Sequence, residues 1–304
     1  MATILPTAHT IAVLSQKGGT GKTTLVRTLA DVLRRAGLDV LAVDLDPQGN
    51  LSDYFDLEPD VSPTIGEVLT ARAHISEATY DGVVPANLGL AEAELMLSGK
   101  IGRELTLKRA LREARRAHDV ILIDCPPALG LLTVNALVAA THAMISAEAE
   151  YFSLQGVEQV LEVMGLAREN LNNELEWLGV VLNMTDLRML HAREARSSLR
   201  ASFGDKLFET IIRRSVRYPE SAERALSILD YRPELGADYL ALGEELLGRL
   251  GEEDALERIV AMREELGERA APNSSHEPEP APAAGPGPSL TSATWPPTQD
   301  SSGS

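Results

Sequence analysis

Residues 10–36 read as a buried strand (TIAVLS, 10–15), a glycine-rich turn (KGGTGKTT, 17–24) and a helix (22–36) closed by Gly37. Strand, turn and helix in that order form the setting of a phosphate-binding loop. Gly18, Gly19 and Gly21 let backbone N–H groups converge on phosphate oxygens with no Cβ in the way. The helix start beside Thr20 adds partial positive charge. Lys22 is placed to reach the β- and γ-phosphates of a nucleotide, the Thr23 hydroxyl to bind Mg²⁺, and Thr24 to lie near the α-phosphate. Lys17 is the unusual member. A second lysine opens the loop, although one suffices for the phosphates held by a single chain.

Such a loop belongs in an α/β fold, and the remaining pattern agrees. Apolar runs at 40–44, 120–124, 141–146, 178–183 and 207–212 read as strands. Helical patterns at 105–118, 154–170, 190–203 and 236–250 separate or follow them. Buried strands alternating with helices imply a mostly parallel, twisted sheet covered on both faces. Ligands of such sheets bind beyond the carboxyl ends of the strands. Two of those ends carry acids. VLAVDLDPQGN brings Asp44 and Asp46 to one side of its strand end, where a carboxylate can serve Mg²⁺ or orient an attacking water. VILIDCPP ends in Asp124, the usual Mg²⁺-side carboxylate behind a phosphate loop. Cys125 beside it reads as a small buried residue.

Composition sets outer limits. Hydrophobic residues make up 44% of the 304, enough for one sizeable core, and charged residues 24%. With no apolar run of about 18 residues, no membrane-spanning helix is expected. No signal peptide is evident, and Cys125 is the sole cysteine, so the cytoplasm is the expected compartment. No internal repeat is found. The expected organisation is a body over 1–250, a helix over 251–269, and a Pro-, Ala- and Ser-rich tail over 270–304 that reads as disordered. Net charge is −17, which argues globally against nucleic acid. Yet residues 188–224 hold nine Lys or Arg against five acids, a local excess of four positive charges. A second basic group (Arg103, Lys108, Arg109, Arg112, Arg115, Arg116) is diluted by Glu104 and Glu113 and reads as a solvated helix.

KGGTGKTT, VDLDPQGN and DCPPALGLLTVNAL, in this order and spacing, resemble the deviant phosphate loop, second motif and switch segment of the ParA/MinD superfamily, and of ParA-type partition ATPases in particular. The resemblance covers roughly residues 11–246. It implies a P-loop ATPase with ATP and Mg²⁺ as ligands and weak basal turnover. Lys17 would reach across a nucleotide-sandwich homodimer to the partner's phosphates, and Lys22 and Asp46 would complete the catalytic set, Asp46 positioning the hydrolytic water. Thr23, Asp44 and Asp124 would serve the metal, Asp44 from its outer shell. AEAEYFSLQG resembles the segment whose glutamate, here Glu150, approaches the partner's nucleotide. GVVLNMTD resembles the segment whose asparagine, here Asn183, contacts adenine.

The basic stretch gains a meaning from the same resemblance. Arg188 and Arg217 match arginines used for sequence-nonspecific DNA binding, which needs only phosphate neutralisation. Arg193, Arg196 and Arg200 read equally well as DNA-facing or as a solvated face. Arg213 stands where the family often has a proline that walls the adenine pocket, so it bears on nucleotide affinity or extends the DNA surface. The function implied is DNA segregation on the nucleoid, with a ParB-like centromere-binding partner stimulating hydrolysis and no membrane involved. Alternatives are a positioner of another cargo, a MinD-like membrane-associated ATPase, or an amide-forming enzyme. The membrane reading wants a basic amphipathic C-terminal helix, and residues 252–265 are acid-rich instead. No N-terminal helix-turn-helix domain is expected.

Overall fold

A computed structural model of the chain describes residues 8–150 and 153–270. Tyr151 and the expected tail beyond residue 270 lie outside them. In chain order the elements are β1 (His9–Leu14), α1 (Lys22–Arg35), β2 (Val40–Asp44), α2 (Asn50–Tyr54), α3 (Ile65–Leu69), β3 (Val83–Val84) and α4 (Gly89–Ser98). Then come α5 (Thr106–Ala110), α6 (Ala114–Ala117), β4 (Val120–Asp124), α7 (Leu131–Ala139), β5 (His142–Glu148) and α8 (Ser153–Asn170). The last are β6 (Glu176–Thr185), α9 (Leu190–Phe203), β7 (Leu207–Arg213), α10 (Arg217–Glu223), α11 (Ile228–Tyr231), α12 (Pro233–Leu250) and α13 (Glu253–Ala270).

The seven strands form one sheet in the order β3-β2-β4-β1-β5-β6-β7, and every pairing between them is parallel. Successive side chains of a strand point to opposite faces. Ile11 and Val13 therefore enter the core under α1 and α12, while Ala12 and Leu14 enter the one under α7 and α8. Ala255 and Ile259 of α13 are buried in the first of these cores. Register decides where the site lies. Val13 pairs with Asp124 and Asp44 pairs with Asp124, so the carboxyl ends of β1, β4 and β2 finish level and their loops converge.

One expected helix is absent as such. Residues 105–118 form α5 and α6 with a turn at 111–113. The inward positions keep their spacing: Leu107 and Leu111 are fully buried and Ala114 nearly so. On the outward side, cations three and four apart (Lys108, Arg109, Arg112, Arg115, Arg116) repel along a helix surface. The Asn135 side-chain oxygen accepts the Leu107 N–H at 3.1 Å, fixing the α5 start. Helices α4 and α7 escape the pattern because both are apolar on most sides.

Candidate functional site

The phosphate loop is built by two left-handed glycines and a brace. Gly19 has φ +81° and Gly21 φ +70°. A Cβ on Gly21 would also stand 2.9 Å from the Asn183 side-chain nitrogen, so no other residue fits there. Asn183 is buried and donates that nitrogen to the Thr20 and Gly21 carbonyls at 2.9 and 3.0 Å. The amide of Asn183 thus holds the loop from the wall of the cavity that it also lines.

Lys17, Gly18, Gly19, Thr20, Gly21, Lys22, Thr23 and Thr24 line one cavity of about 920 Å³ together with Asp46 and Asn183. Its far wall is Tyr218, Pro219 and Ala222 of α10, a wall the sequence reading missed. Tyr54 ties that wall down by donating its hydroxyl to the Tyr218 carbonyl at 2.8 Å. The Thr20 hydroxyl is buried with no hydrogen-bond partner among the described residues. An orphaned hydroxyl inside a glycine turn is what a polar ligand would satisfy.

Behind the loop, Lys22 and Asp124 form a buried ion pair. Burial works against the Lys22 charge, but Asp124 outweighs it, and the lysine is held above its usual pKa. The Thr23 hydroxyl donates to the other Asp124 oxygen at 2.7 Å. Hydroxyl and carboxylate at a loop that binds phosphate suit Mg²⁺, which takes one or two protein oxygens and fills the rest with phosphate and water. Among the described residues, no group of three or more His, Cys, Asp or Glu could cage a metal alone.

Asp44 is held by its own turn. It is fully buried. One oxygen accepts the Asp46 N–H at 3.1 Å; the other accepts the Ser52 N–H and hydroxyl at 3.0 and 2.8 Å. These bonds shape the turn that presents Asp46, so Asp44 positions Asp46. Burial, with Asp124 beside it, pushes its carboxyl up to about 7. Ser52, the clamp, went unread in the sequence. Asp46 itself faces the cavity and caps its own turn, accepting the Gln48 N–H at 3.0 Å. Cys125 is fully buried, and burial pushes its thiol up to about 12.

Lys17 is exposed and folds back on its own chain, donating to Glu150 at 2.9 Å. Its pKa is raised, chiefly by that hydrogen bond. Glu150 lies outside the main cavity and shares with Lys17 a small one of about 80 Å³. Glu148, paired with Arg214 at 3.4 Å, extends the series of charges.

The three expected DNA arginines lie at the carboxyl edge of the sheet, after the neighbouring strands β6 and β7. Each is paired. Arg188 binds Asp186 at 2.7 Å, Arg217 binds Glu220 at 2.6 Å, and Arg213 binds Asp238 at 2.8 Å. Arg213 also donates to the Glu234 carbonyl. It is turned onto α12 and takes no part in the cavity lining. Arg196 and Arg200 share Glu209. No helix among the described residues is long and apolar enough to cross a membrane.

The chain is similar to known proteins. A family model described as an AAA domain matches residues 8–177. The sporulation initiation inhibitor protein Soj of Bacillus subtilis is 39% identical over 245 residues, 78% of this chain and 97% of that protein. The chromosome partitioning protein ParA of Myxococcus xanthus is 38% identical over 248 residues, 79% of this chain and 88% of that one. A solved structure, cobyrinic acid a,c-diamide synthase from Mycobacterium smegmatis with bound ATP analog and magnesium, superposes with a TM-score of 0.64 at 36% identity, over 72% of this chain and 93% of that one. Identity at this level over most of its length makes the chain a member of the ParA/Soj family of partition ATPases, within the ParA/MinD superfamily of deviant P-loop proteins.

Proposed function

We propose that the chain is a DNA-segregation ATPase that uses Mg-ATP to join two copies face to face. The pair then holds DNA without reading its sequence, and a ParB-like partner releases it by stimulating hydrolysis. One observation carries the reading. The cavity behind the two lysines has α10 as its far wall, and α10 begins at Arg217. Filling the cavity therefore acts directly on the helix that bears a DNA arginine.

The chain's residues divide the work by position. The loop N–H groups and Lys22 bind phosphate oxygens. Thr23 and Asp124 are the oxygen donors for Mg²⁺, which when bound neutralises and orients the terminal phosphates. Asp46 faces the cavity and orients a water for in-line attack. Asp44 and Ser52 fix the turn that carries it. Lys17 leaves Glu150 and crosses to the phosphates of a second chain. Arg188 and Arg217 exchange their carboxylates for DNA phosphates on the nucleoid.

The test is duplex binding by the full chain with Mg-ATP and with Mg-ADP. Binding that needs ATP and is lost in Arg217→Ala supports the proposal; equal affinity in both nucleotides refutes it. An amide-forming ligase is the second reading, favoured by the name of the Mycobacterium smegmatis structure. Turnover that rises with a small carboxylic acid and ignores DNA would select it. A positioner of a different cargo shares every step above and differs only in the protein that stimulates turnover.

A further inference from the structure

The turn at 111–113 does more than interrupt a helix. It leaves α5 and α6 on either side of a depression of about 380 Å³, lined by Leu105, Lys108, Arg109, Arg112, Arg115 and Arg116. Among the described residues none of these five cations is ion-paired. The acids that dilute the segment in sequence are occupied elsewhere: Glu104 binds Arg103 at 3.0 Å, and Glu113 faces His74 at 3.3 Å. The Arg115 Nε is buried without a hydrogen-bond partner. In a chain of net charge −17, a hollow lined by unopposed cations is a local reversal of sign. Mutual repulsion among these cations falls when an anion is seated between them.

We propose that this depression is a binding site for a compact, phosphate-dense anion, seated in the hollow and held by Lys108, Arg109, Arg112 and Arg115. Size and lining select this ligand. The volume falls at the small end of ligand pockets, roughly 300–1,000 Å³. No aromatic side chain lines it, and the forked guanidinium groups recognise phosphate oxygens through paired hydrogen bonds. The site is separate from the nucleotide cavity. The Arg115 carbonyl accepts the Ala8 N–H, and Asp119 accepts that of His9. These bonds set α6 at the amino ends of β1 and β4, the opposite edge from the phosphate loop. The inference stands whether or not the chain binds DNA.

The test titrates inorganic tripolyphosphate into the full chain saturated with Mg-ADP, in excess magnesium, so that the phosphate loop is already filled. Calorimetry is expected to find one further site per chain, weakening as salt rises and raising the melting temperature when filled. Arg112→Gln with Arg115→Gln, and separately Lys108→Gln with Arg109→Gln, are expected to weaken it by roughly tenfold or more. Both pairs should leave Mg-ADP affinity unchanged and the unliganded melting temperature equal or higher, because repulsion is relieved. Absence of the site in the parent chain, or tripolyphosphate affinity unchanged in both variants, overturns the proposal. So does loss of duplex DNA binding in the variants when the parent takes no tripolyphosphate, because the occupant is then a DNA backbone.

Discussion

At the carboxyl edge of the sheet, Arg188, Arg213 and Arg217 each hold a carboxylate of their own chain. At the amino edge, Lys108, Arg109, Arg112, Arg115 and Arg116 surround a hollow and hold none among the described residues. Exposed ion pairs contribute only about 0–1 kcal/mol. A paired arginine therefore trades its carboxylate for a phosphate at little cost. An unpaired cluster has no such intrachain competitor and is positive in every nucleotide state. On the proposed function, the difference separates a surface switched by the nucleotide from a constitutive one.

The largest expected effect breaks the two edges apart. Lys22→Ala removes a phosphate ligand and leaves Asp124 buried without its cation. Loss of one partner of a buried pair costs about 3–5 kcal/mol. Thermal melts should show that loss, and ATP-dependent DNA binding should vanish, while tripolyphosphate binding at the amino edge persists in the folded fraction.

Next comes pH. The folded Asp44 carboxyl titrates at about 7, above its ordinary 3.8. Between those values the folded chain keeps a proton that the unfolded chain has lost, so this group's contribution falls as pH rises, complete below the lower value and gone above the upper. Asp44→Asn should flatten the difference in unfolding free energy between pH 4 and 7 by up to about 4 kcal/mol, measured by denaturant titration against the parent.

Arg188→Ala combined with Arg217→Ala should leave ATP binding intact and weaken ATP-state DNA binding roughly tenfold or more, with a salt dependence shallower by about two charges. Equal DNA loss from the amino-edge variants would erase the distinction between the edges. The smallest effect belongs to Glu150→Gln. It frees Lys17 from an exposed pair worth about 0.2–1 kcal/mol, so ATP-dependent self-association should tighten by roughly two- to fivefold, read by sedimentation.

The sheet and the phosphate loop were legible because each rests on local pattern. Apolar runs must be buried strands, and Gly21 must be glycine at φ +70°. Asp124 was legible from its place at a strand end. What escaped depends on contacts distant in sequence. The loop brace by Asn183 and the clamp on Asp44 rest on partners 163 and 8 residues away, the Thr20 carbonyl and the Ser52 hydroxyl. The α10 wall is 194 or more residues from the phosphate loop, too far for any periodicity to reveal. In the basic segment at 105–118, Arg109, Arg112 and Arg116 are exposed as expected, and what went unread is the turn at 111–113 and the partners of Glu104 and Glu113. In space both acids face other partners.

The account depends most on Lys17 working between chains. The direct measurement is the mass of the Asp46→Ala chain in solution by light scattering at saturating Mg-ATP, where turnover is blocked. The expected result is twice the chain mass of 32.7 kDa, reverting to one chain mass with Lys17→Ala. A single chain mass at saturating ATP, or a dimer indifferent to Lys17, would contradict it.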